Sequence, residues 1–153
     1  MKGRGVPGLS LKGRALRFLA AREHSRLELR GKLGPHAESI EQVDAVLDEL
    51  EQKGFLSAQR FAESVIHRKA SRYGTARLKA ELQQHGLPDD IAKTAIATLQ
   101  STELARARAV WARRFEGPPA SPEERARQMR FLATRGFSGE VIRQVLKAGP
   151  SDD

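Results

Sequence analysis

The amino-acid sequence predicts an all-α protein built from three tandem three-helix repeats. Apolar residues recur every three or four positions along nearly the whole chain, as on one face of a helix, and strand-like alternation is almost absent. Helix start and stop signals divide this pattern into about nine short helices. Because stacked repeats share apolar faces with their neighbours, we expect an elongated body, which curves if each repeat rotates against the next.

The helices can be followed by the apolar residues that share a face, at spacings dominated by three, four and seven. In chain order these sets are Leu11, Ala15, Phe18 and Leu19; Ile40, Val43, Leu47 and Leu50; Phe61, Ala62, Val65 and Ile66; Ile91, Ala95 and Leu99; Leu104, Trp111 and Phe115; Val141, Val145 and Leu146. The motif residues that we expect in the core are Leu29, Leu33, Phe61, Leu82, Phe131 and Leu132. Truncating a fully buried one should cost roughly 2–5 kcal/mol.

The helix boundaries are marked by serine and glycine. Three helix starts carry the S-x-x-E/Q pattern, in which the serine side chain caps the helix. The pairs are Ser25 with Glu28, Ser39 with Gln42, and Ser121 with Glu124. A left-handed helix end favours glycine, and glycine follows an apolar run at Gly34, Gly54, Gly86 and Gly136.

The helices repeat at an interval of 50 residues. Gly86 and Gly136 are separated by this interval, and LQQHGLPDDIAKTAI aligns with LATRGFSGEVIRQVL around them. Leu11, Phe61 and Trp111 have the same spacing and would anchor the opening helix of each repeat. The predicted division is a disordered tail at 1–9, repeats at 10–53, 54–100 and 101–148, and a disordered tail at 149–153. A unit of this size buries little apolar surface alone, so neighbouring repeats should pack together.

Composition excludes several classes of protein. No apolar run approaches the roughly 20 residues that span a bilayer, and no apolar signal core follows the basic N-terminus. The chain of 153 residues contains no cysteine, which excludes disulfides and thiolate metal sites. We therefore expect a cytoplasmic protein that does not associate with membranes.

Charge is unevenly distributed along the chain. The formal net charge is +8, with +7 in residues 1–36 and −5 in residues 37–56. Such a distribution suits either a polyanionic partner or a protein surface of mixed charge, and a merely solvated helical surface is an equal alternative.

A search for catalytic and metal-binding groups argues against an enzyme. His24 and Ser25 are adjacent, and neighbours on a helix point away from each other, so they cannot pair as base and nucleophile. The remaining histidines, His36, His67 and His85, have no metal-ligand spacing. The carboxylates cluster at Asp44, Asp48, Glu49 and Glu51, where a solvated helix face explains them better than an acid–base pair. We predict no catalytic residues and no metal site.

A nucleic-acid contact is a better-supported possibility. HRKASRYGTARLK (67–79) contains five Arg or Lys residues around Tyr73, and three short helices with a glycine turn resemble helix-turn-helix modules in outline. Lys69 and Lys79 could bind the phosphates of a nucleic-acid backbone while Tyr73 stacks on a base. The alternative is that Tyr73 packs at a helix end and that the basic residues are simply solvated.

Four segments in order carry a family resemblance. REHSRLELRGKL (22–33), LDELEQKGFLSAQRFAES (47–64), RYGTARLKAELQQHGL (72–87) and RFLATRGFSGEVIRQVL (130–146) resemble the RecX family of regulators of the RecA recombinase. The likeness spans about residues 10–148. Two turns depart from the usual pattern, since Ser57 and Ala58 stand where members commonly carry acidic residues, and His85 stands where Lys or Arg is usual.

This resemblance implies a regulatory protein of tandem three-helix repeats that acts without a cofactor. It implies binding to RecA and to its filament on single-stranded DNA, with inhibition of ATP hydrolysis, strand exchange and coprotease activity. Its setting would be recombination, DNA repair and the SOS response. We expect a monomer that binds single- or double-stranded DNA only weakly by itself. The alternative is a helix-turn-helix-like regulator that acts directly on DNA.

Basic residues within the family motifs are the predicted contacts with the partner. The residues predicted to bind RecA are Arg22, Arg26, Arg68, Arg72, Arg77, Arg130 and Arg135, and the possible DNA contacts are Lys69, Tyr73 and Lys79.

Overall fold

The computed structural model describes residues 8–148 and consists of helices in that range. The helices are α1 (Leu11–Ala21), α2 (Arg26–Leu33), α3 (Ile40–Gln52), α4 (Ala58–Lys69), α5 (Thr75–Gln84), α6 (Asp89–Arg114), α7 (Pro122–Thr134) and α8 (Gly139–Ala148), with a 3₁₀ turn at Gly34–His36. No strand occurs within residues 8–148, so the prediction of an all-α protein is confirmed. Residues 1–7 of the first predicted tail and all of the second, 149–153, lie outside the described residues.

Helix α6 differs from the prediction because it is continuous over 26 residues. The repeats predicted at 54–100 and 101–148 imply a helix boundary between residues 100 and 101. The chain is helical there, and the hydroxyls of Ser101 and Thr102 donate to the carbonyl oxygens of Thr98 and Leu99, 2.8 and 3.2 Å away. A hydroxyl bound to the preceding turn leaves the helix intact. The described chain therefore contains eight α-helices rather than about nine.

The three predicted serine caps are confirmed. Ser25 forms a complete capping box, in which its Oγ accepts from the Glu28 amide while Glu28 accepts from the Ser25 amide. Ser39 and Ser121 accept from the amides three residues later. A cap of this kind stabilises a helix by about 1 kcal/mol.

Three of the four predicted glycine turns adopt the left-handed conformation. Gly54, Gly86 and Gly136 have φ angles of +82°, +64° and +95°. The prediction for Gly34 is wrong, because this residue has φ −50° and continues into the 3₁₀ turn that contains Pro35. A chain that continues in a right-handed turn has no need of a residue tolerant of positive φ.

The described residues form two compact units. The first unit contains the residues up to Ser64 together with His85–Pro88, and the second contains Val65–Gln84 and the residues from Asp89 onward. The core of the first unit contains Leu11, Ala15, Leu29, Leu33, Val43, Leu47, Leu50 and Leu56. The core of the second unit contains Ala107, Val110, Trp111, Leu132, Phe137, Ile142, Val145 and Leu146. The buried indole Nε1–H of Trp111 donates to Gln128 at 2.8 Å, so neither polar group is left unpaired.

The expected core residues are buried with one exception. Leu29, Leu33, Phe61, Leu82 and Leu132 have no more than 1% of their surface exposed. Phe131 is only partly buried, because it lies at the edge of the second core, where its ring meets Phe115 edge-on at 5.3 Å.

The segment between α1 and α2 contains a buried histidine. The Nδ1–H of His24 donates to the carbonyl of Arg22 at 3.0 Å, and its Nε2 accepts from the ammonium of Lys32 at 3.1 Å. Since an ammonium can only donate, this arrangement requires the neutral ring. Burial lowers the pKa of His24, and the positive charges of Arg22 and Lys32 lower it further.

The stability of the first unit should fall as the pH is lowered from about 7 to 5. The pKa of His24 is lower in the folded protein than its ordinary value of 6.5, so the unfolded chain binds more protons in this range. The stabilisation is therefore present above pH 6.5 and disappears as the pH falls towards the folded pKa. Urea unfolding at several pH values measures this slope. The neutral variant His24→Gln should have a shallower slope, and an unchanged slope would contradict the assignment.

The second unit contains a very close approach between the loop before α5 and the turn after α7. The Gly74 amide donates to the carbonyl of Arg135 at 2.7 Å, and the Ala76 amide donates to the carbonyl of Gly136 at 3.2 Å. A Cβ atom added at Gly74 would lie 2.4 Å from the backbone of Gly136, and one added at Gly136 would lie 2.5 Å from Arg77. Both positions therefore require glycine.

Replacing Gly74 by alanine should destabilise the second unit by about 1–3 kcal/mol, the usual cost of inserting atoms into a packed site. The matched control is Gly31→Ala in α2, where a Cβ would meet nothing within 4 Å. That change should stabilise the protein by about 0.5–1 kcal/mol, since glycine disfavours a helix interior. Thermal unfolding followed by circular dichroism compares the two variants. A Gly74→Ala protein as stable as the parent would show that the approach is not tight.

Candidate partner-binding site

The ten predicted contact residues fall into three groups by their surroundings. Arg22, Arg26 and Lys69 form ion pairs within the protein. Arg68, Lys79 and Arg130 are exposed and form no hydrogen bond or ion pair with a residue in the described part of the chain. Arg72, Arg77 and Arg135 surround Tyr73.

Arg22 holds the capping carboxylate of α2. Its guanidinium forms two hydrogen bonds with Glu28, at 2.8 and 3.3 Å. Burial would raise the pKa of Glu28, but the bonds from Arg22 and from the Ser25 amide lower it to about 2. Arg22 thus completes the helix cap, and its side chain is 44% exposed.

Arg26 joins α2 to the acidic helix α3. Its guanidinium lies 2.8 Å from Asp48, 2.9 Å from Glu51 and 3.5 Å from Asp44. Arg30 also bonds to Asp44, at 3.1 Å. The carboxylates that the sequence presented as a solvated face are thus partly neutralised by arginines of α2. These pairs are surface pairs, each worth about 0–1 kcal/mol.

The two turns that depart from the family pattern have internal roles. Ser57 Oγ accepts from the Arg60 amide at 3.1 Å, as an N-cap does, and an acidic residue could do the same. His85 is half-buried. Its Nδ1 lies 2.8 Å from Ser25 Oγ, and its ring meets Phe61 edge-on at 4.6 Å.

The most distinctive arrangement is a group of three arginines around one tyrosine, which we call the Tyr73 cluster. It consists of Tyr73, Arg72, Arg77 and Arg135. The guanidinium carbons of Arg77, Arg72 and Arg135 lie 4.0, 5.4 and 5.9 Å from the centre of the ring. Such cation–π interactions contribute about 0.5–1 kcal/mol each at exposed sites. The close approach of Gly74 to Gly136 brings these residues together from two distant motifs.

A half-buried arginine of α6 holds the loop that carries Tyr73. Arg106 donates to the carbonyls of Ala70 and Tyr73 at 3.1 and 2.6 Å and to the hydroxyl of Thr75 at 3.2 Å. Burial lowers the pKa of Arg106, and the field of Glu103 opposes this shift. Sequence reasoning missed Arg106. Its spacing could have indicated that it faces the core. Arg106 lies three residues after Glu103 and four before Val110, both of which are buried on the core-facing side of α6.

The Tyr73 cluster continues into a second pair of aromatic rings. The Arg135 guanidinium also lies over Phe131 at 4.8 Å, and Arg114 lies over Phe131 at 5.8 Å and over Phe115 at 5.1 Å. Arginines and aromatic rings therefore alternate across this part of the second unit.

Three segments of the second unit carry positive charge without any acidic residue. Residues 66–80, 105–114 and 125–135 contain thirteen Arg and Lys residues and no Asp or Glu. They include the Tyr73 cluster together with Arg68, Lys79 and Arg130, which form no ion pair within the described part of the chain. Lys69 is paired with Glu81, which lies just outside these segments, and the exposed charges among the rest attract polyanions and acidic protein surfaces over a distance of about 8–10 Å at physiological salt.

Two open clefts lie on the described residues, one of about 510 Å³ beside Arg26 and Asp48 in the first unit and a smaller one in the second unit. No group of three or more His, Asp or Glu within residues 8–148 is placed to hold a metal ion. A pocket of about 220 Å³ in the second unit is lined partly by Lys79, Gln100 and Glu103, and the carboxylate of Glu103 is occupied by the Ser138 amide at 3.0 Å. None of the helices described is both long and apolar enough to span a membrane.

Family models match most of the chain. The first three-helix domain of RecX matches residues 12–50, the second matches 59–96 and the third matches 101–146.

Relatives of high identity have the same name. A protein called Regulatory protein RecX from Ralstonia nicotianae is 58% identical over 139 residues, which cover 91% of this chain and 87% of the relative. Its namesake from Leptothrix cholodnii is 56% identical over 141 residues, covering 92% and 90% of the two chains.

Two solved structures share the fold. RecX from Lactobacillus salivarius superposes with a TM-score of 0.75 at 20% identity, over 90% of this chain and 92% of the other. A second structure, described as regulatory protein RecX, gives a TM-score of 0.76 at 18% identity, over 96% and 82% of the two chains. With three family models in order and relatives above 50% identity, the chain belongs to the RecX family of regulatory proteins.

Proposed function

We propose that this protein binds the RecA recombinase, chiefly as its filament on single-stranded DNA, and restrains it. The consequence is inhibition of ATP hydrolysis, strand exchange and coprotease activity. The protein acts in the cytoplasm by occupying its partner, without catalysis and without a cofactor. Membership of a family of regulatory proteins supports this role, together with the motifs that resemble RecA regulators.

One observation carries the proposal, namely the exposed arginines of the second unit that have no internal partner. An arginine already paired with a carboxylate must give up that pair before it can bind elsewhere, which offsets the new interaction. Arg68 and Arg130 have no ion pair with the described residues, so their charge is available to a partner. Arginine is also the charged residue most often found at the energetic centre of protein interfaces.

Arg22 and Arg26 take a secondary place in the proposed interface. Their side chains are 44% and 32% exposed, so they can touch a partner while they keep their internal pairs. Their replacement would alter the cap of α2 and its attachment to α3 as well as any interface. Weaker binding by such variants would therefore be ambiguous.

The double variant Arg68→Ala/Arg130→Ala should inhibit RecA about tenfold less well, which corresponds to about 1.4 kcal/mol of binding free energy. The measurement is the rate of ATP hydrolysis by RecA on single-stranded DNA, titrated with each variant. The charge-matched control is Lys93→Ala/Arg143→Ala, which removes two exposed charges outside the three basic segments. The control should inhibit as well as the parent protein.

Two results would count against the proposal. If the parent protein in excess leaves ATP hydrolysis unchanged, the chain does not regulate RecA in this way. If the control is impaired as much as the Arg68 and Arg130 variant, net charge alone governs the effect and these two arginines are not specific contacts.

The second candidate is a helix-turn-helix-like regulator that acts directly on DNA. The three basic segments favour this function. They contain thirteen Arg and Lys residues and no acidic residue, and such residues can neutralise the phosphates of a DNA backbone. It predicts tight, sequence-specific binding to duplex DNA without RecA and no effect on ATP hydrolysis. Weak and strongly salt-dependent binding to DNA does not separate the two functions, because a protein of net charge +8 is expected to show it.

A further inference from the structure

We propose that Arg72, Arg77 and Arg135 form a prearranged site for the phosphodiester backbone of nucleic acid. Tyr73 is the positioning residue of this site and does not stack on a base. The inference rests on the proposed function in one respect, since it assigns a ligand to part of the same surface. It departs from the expectations drawn from the sequence, in which Tyr73 stacks on a base and these three arginines bind RecA.

The first argument is that three like charges lie together with no counterion among residues 8–148. All three guanidinium carbons lie within 5.9 Å of the centre of one ring, yet none of the three arginines forms an ion pair with a residue of the described chain. Elsewhere in the protein, Arg22 and Arg26 are paired with carboxylates. Like charges held together repel each other, and a bound anion would remove that repulsion.

The second argument concerns the donors that remain free. A guanidinium has five N–H groups. Arg77 uses one on the carbonyl of Thr134 at 3.5 Å, and Arg135 uses one on the carbonyl of Arg72 at 3.3 Å. These bonds help to orient Arg77 and Arg135 and leave most of their donors available. One guanidinium group can donate two parallel hydrogen bonds to a phosphate group. The free N–H groups of these arginines therefore suit a phosphodiester.

The third argument concerns the ring of Tyr73. Guanidinium groups already lie over it, the nearest at 4.0 Å, so a base would have to compete with them for the ring. The ring thus organises cations rather than offering a bare stacking surface. Recognition through phosphates alone is insensitive to base identity.

The surroundings favour a repeating anion over a single carboxylate. From Arg135 the alternation of cations and rings continues through Phe131 to Arg114 and Phe115. The three basic segments around it contain no acidic residue. A nucleic-acid backbone presents phosphates in series and can engage such a row, whereas one acidic side chain would neutralise only part of it.

The test uses the full-length protein and two labelled single strands of about 20 nucleotides, oligothymidylate and a strand of the same length without bases. This length exceeds the roughly 4–16 nucleotides that single-strand binding modules usually cover. Binding is measured by fluorescence anisotropy at several salt concentrations. The parent protein should bind the two strands within about threefold of each other, since phosphates carry the interaction.

The variant Arg72→Gln/Arg77→Gln/Arg135→Gln keeps the tyrosine and removes the three charges. Its slope of log K against log salt should be shallower by about 2, at roughly 0.7 for each phosphate that the variant no longer neutralises. The control Lys93→Ala/Arg143→Ala should keep the parent slope. Tyr73→Phe should bind like the parent, and Tyr73→Leu should weaken binding to both strands equally because the arginines are no longer supported by a ring.

Three results would overturn the inference. One is an unchanged salt slope in the arginine variant. Another is a Tyr73→Leu protein that binds oligothymidylate more weakly and keeps its affinity for the strand without bases, which would mean stacking. The third is an arginine variant that binds both strands normally and fails to bind RecA in the absence of DNA, which would make a protein carboxylate the ligand.

The two proposals can be distinguished because the strand measurements contain no RecA. The nucleic-acid site can be absent while the protein still inhibits RecA, and the site can be present in a protein that does not inhibit RecA.

Discussion

The arrangement of the second unit depends on one close approach between backbones, at Gly74 and Gly136. Two hydrogen bonds cross it, from the amides of Gly74 and Ala76 to the carbonyls of Arg135 and Gly136, and a Cβ on either glycine would collide with the other segment. This approach places Arg135 beside Tyr73, although the two residues are 62 positions apart in the sequence. Arg106 of α6 then holds the loop through its backbone carbonyls. The glycines therefore determine where the charged side chains meet, without any charge of their own.

Arginine serves two different purposes in this protein. In the first unit Arg22 and Arg26 are matched by carboxylates and hold helices and a cap in place. In the Tyr73 cluster the arginines lie against an aromatic ring, two of them also bond to backbone carbonyls, and none is paired with a carboxylate of the described residues. The first arrangement satisfies the charge within the protein. The second leaves the charge available to a bound anion, which is the physical basis of the proposed nucleic-acid site.

The sequence predicted the helices and their caps because these are local. Helix faces repeat every three or four residues, and Ser25 finds its capping partner only three residues away. The break expected inside α6 was wrong because a hydroxyl such as that of Ser101 can cap a helix or bind back onto it, and the sequence does not distinguish the two. The candidate site was predictable as a set of basic motif residues. Its division into paired and unpaired arginines was not, since Arg26 meets its acidic partners 18 to 25 positions along the chain.

The continuous helix α6 has a mechanical consequence. It covers residues 89–114 and so runs through the junction between the regions matched by the second and third RecX domain models, 59–96 and 101–146. At 1.5 Å per residue it is a rod of about 39 Å, with main-chain hydrogen bonds running through the junction. A hinge there would have to break several of these bonds at once. Residues 89–114 on either side of this junction should therefore move as one rigid segment, so a bend of the chain would have to form before or after this helix.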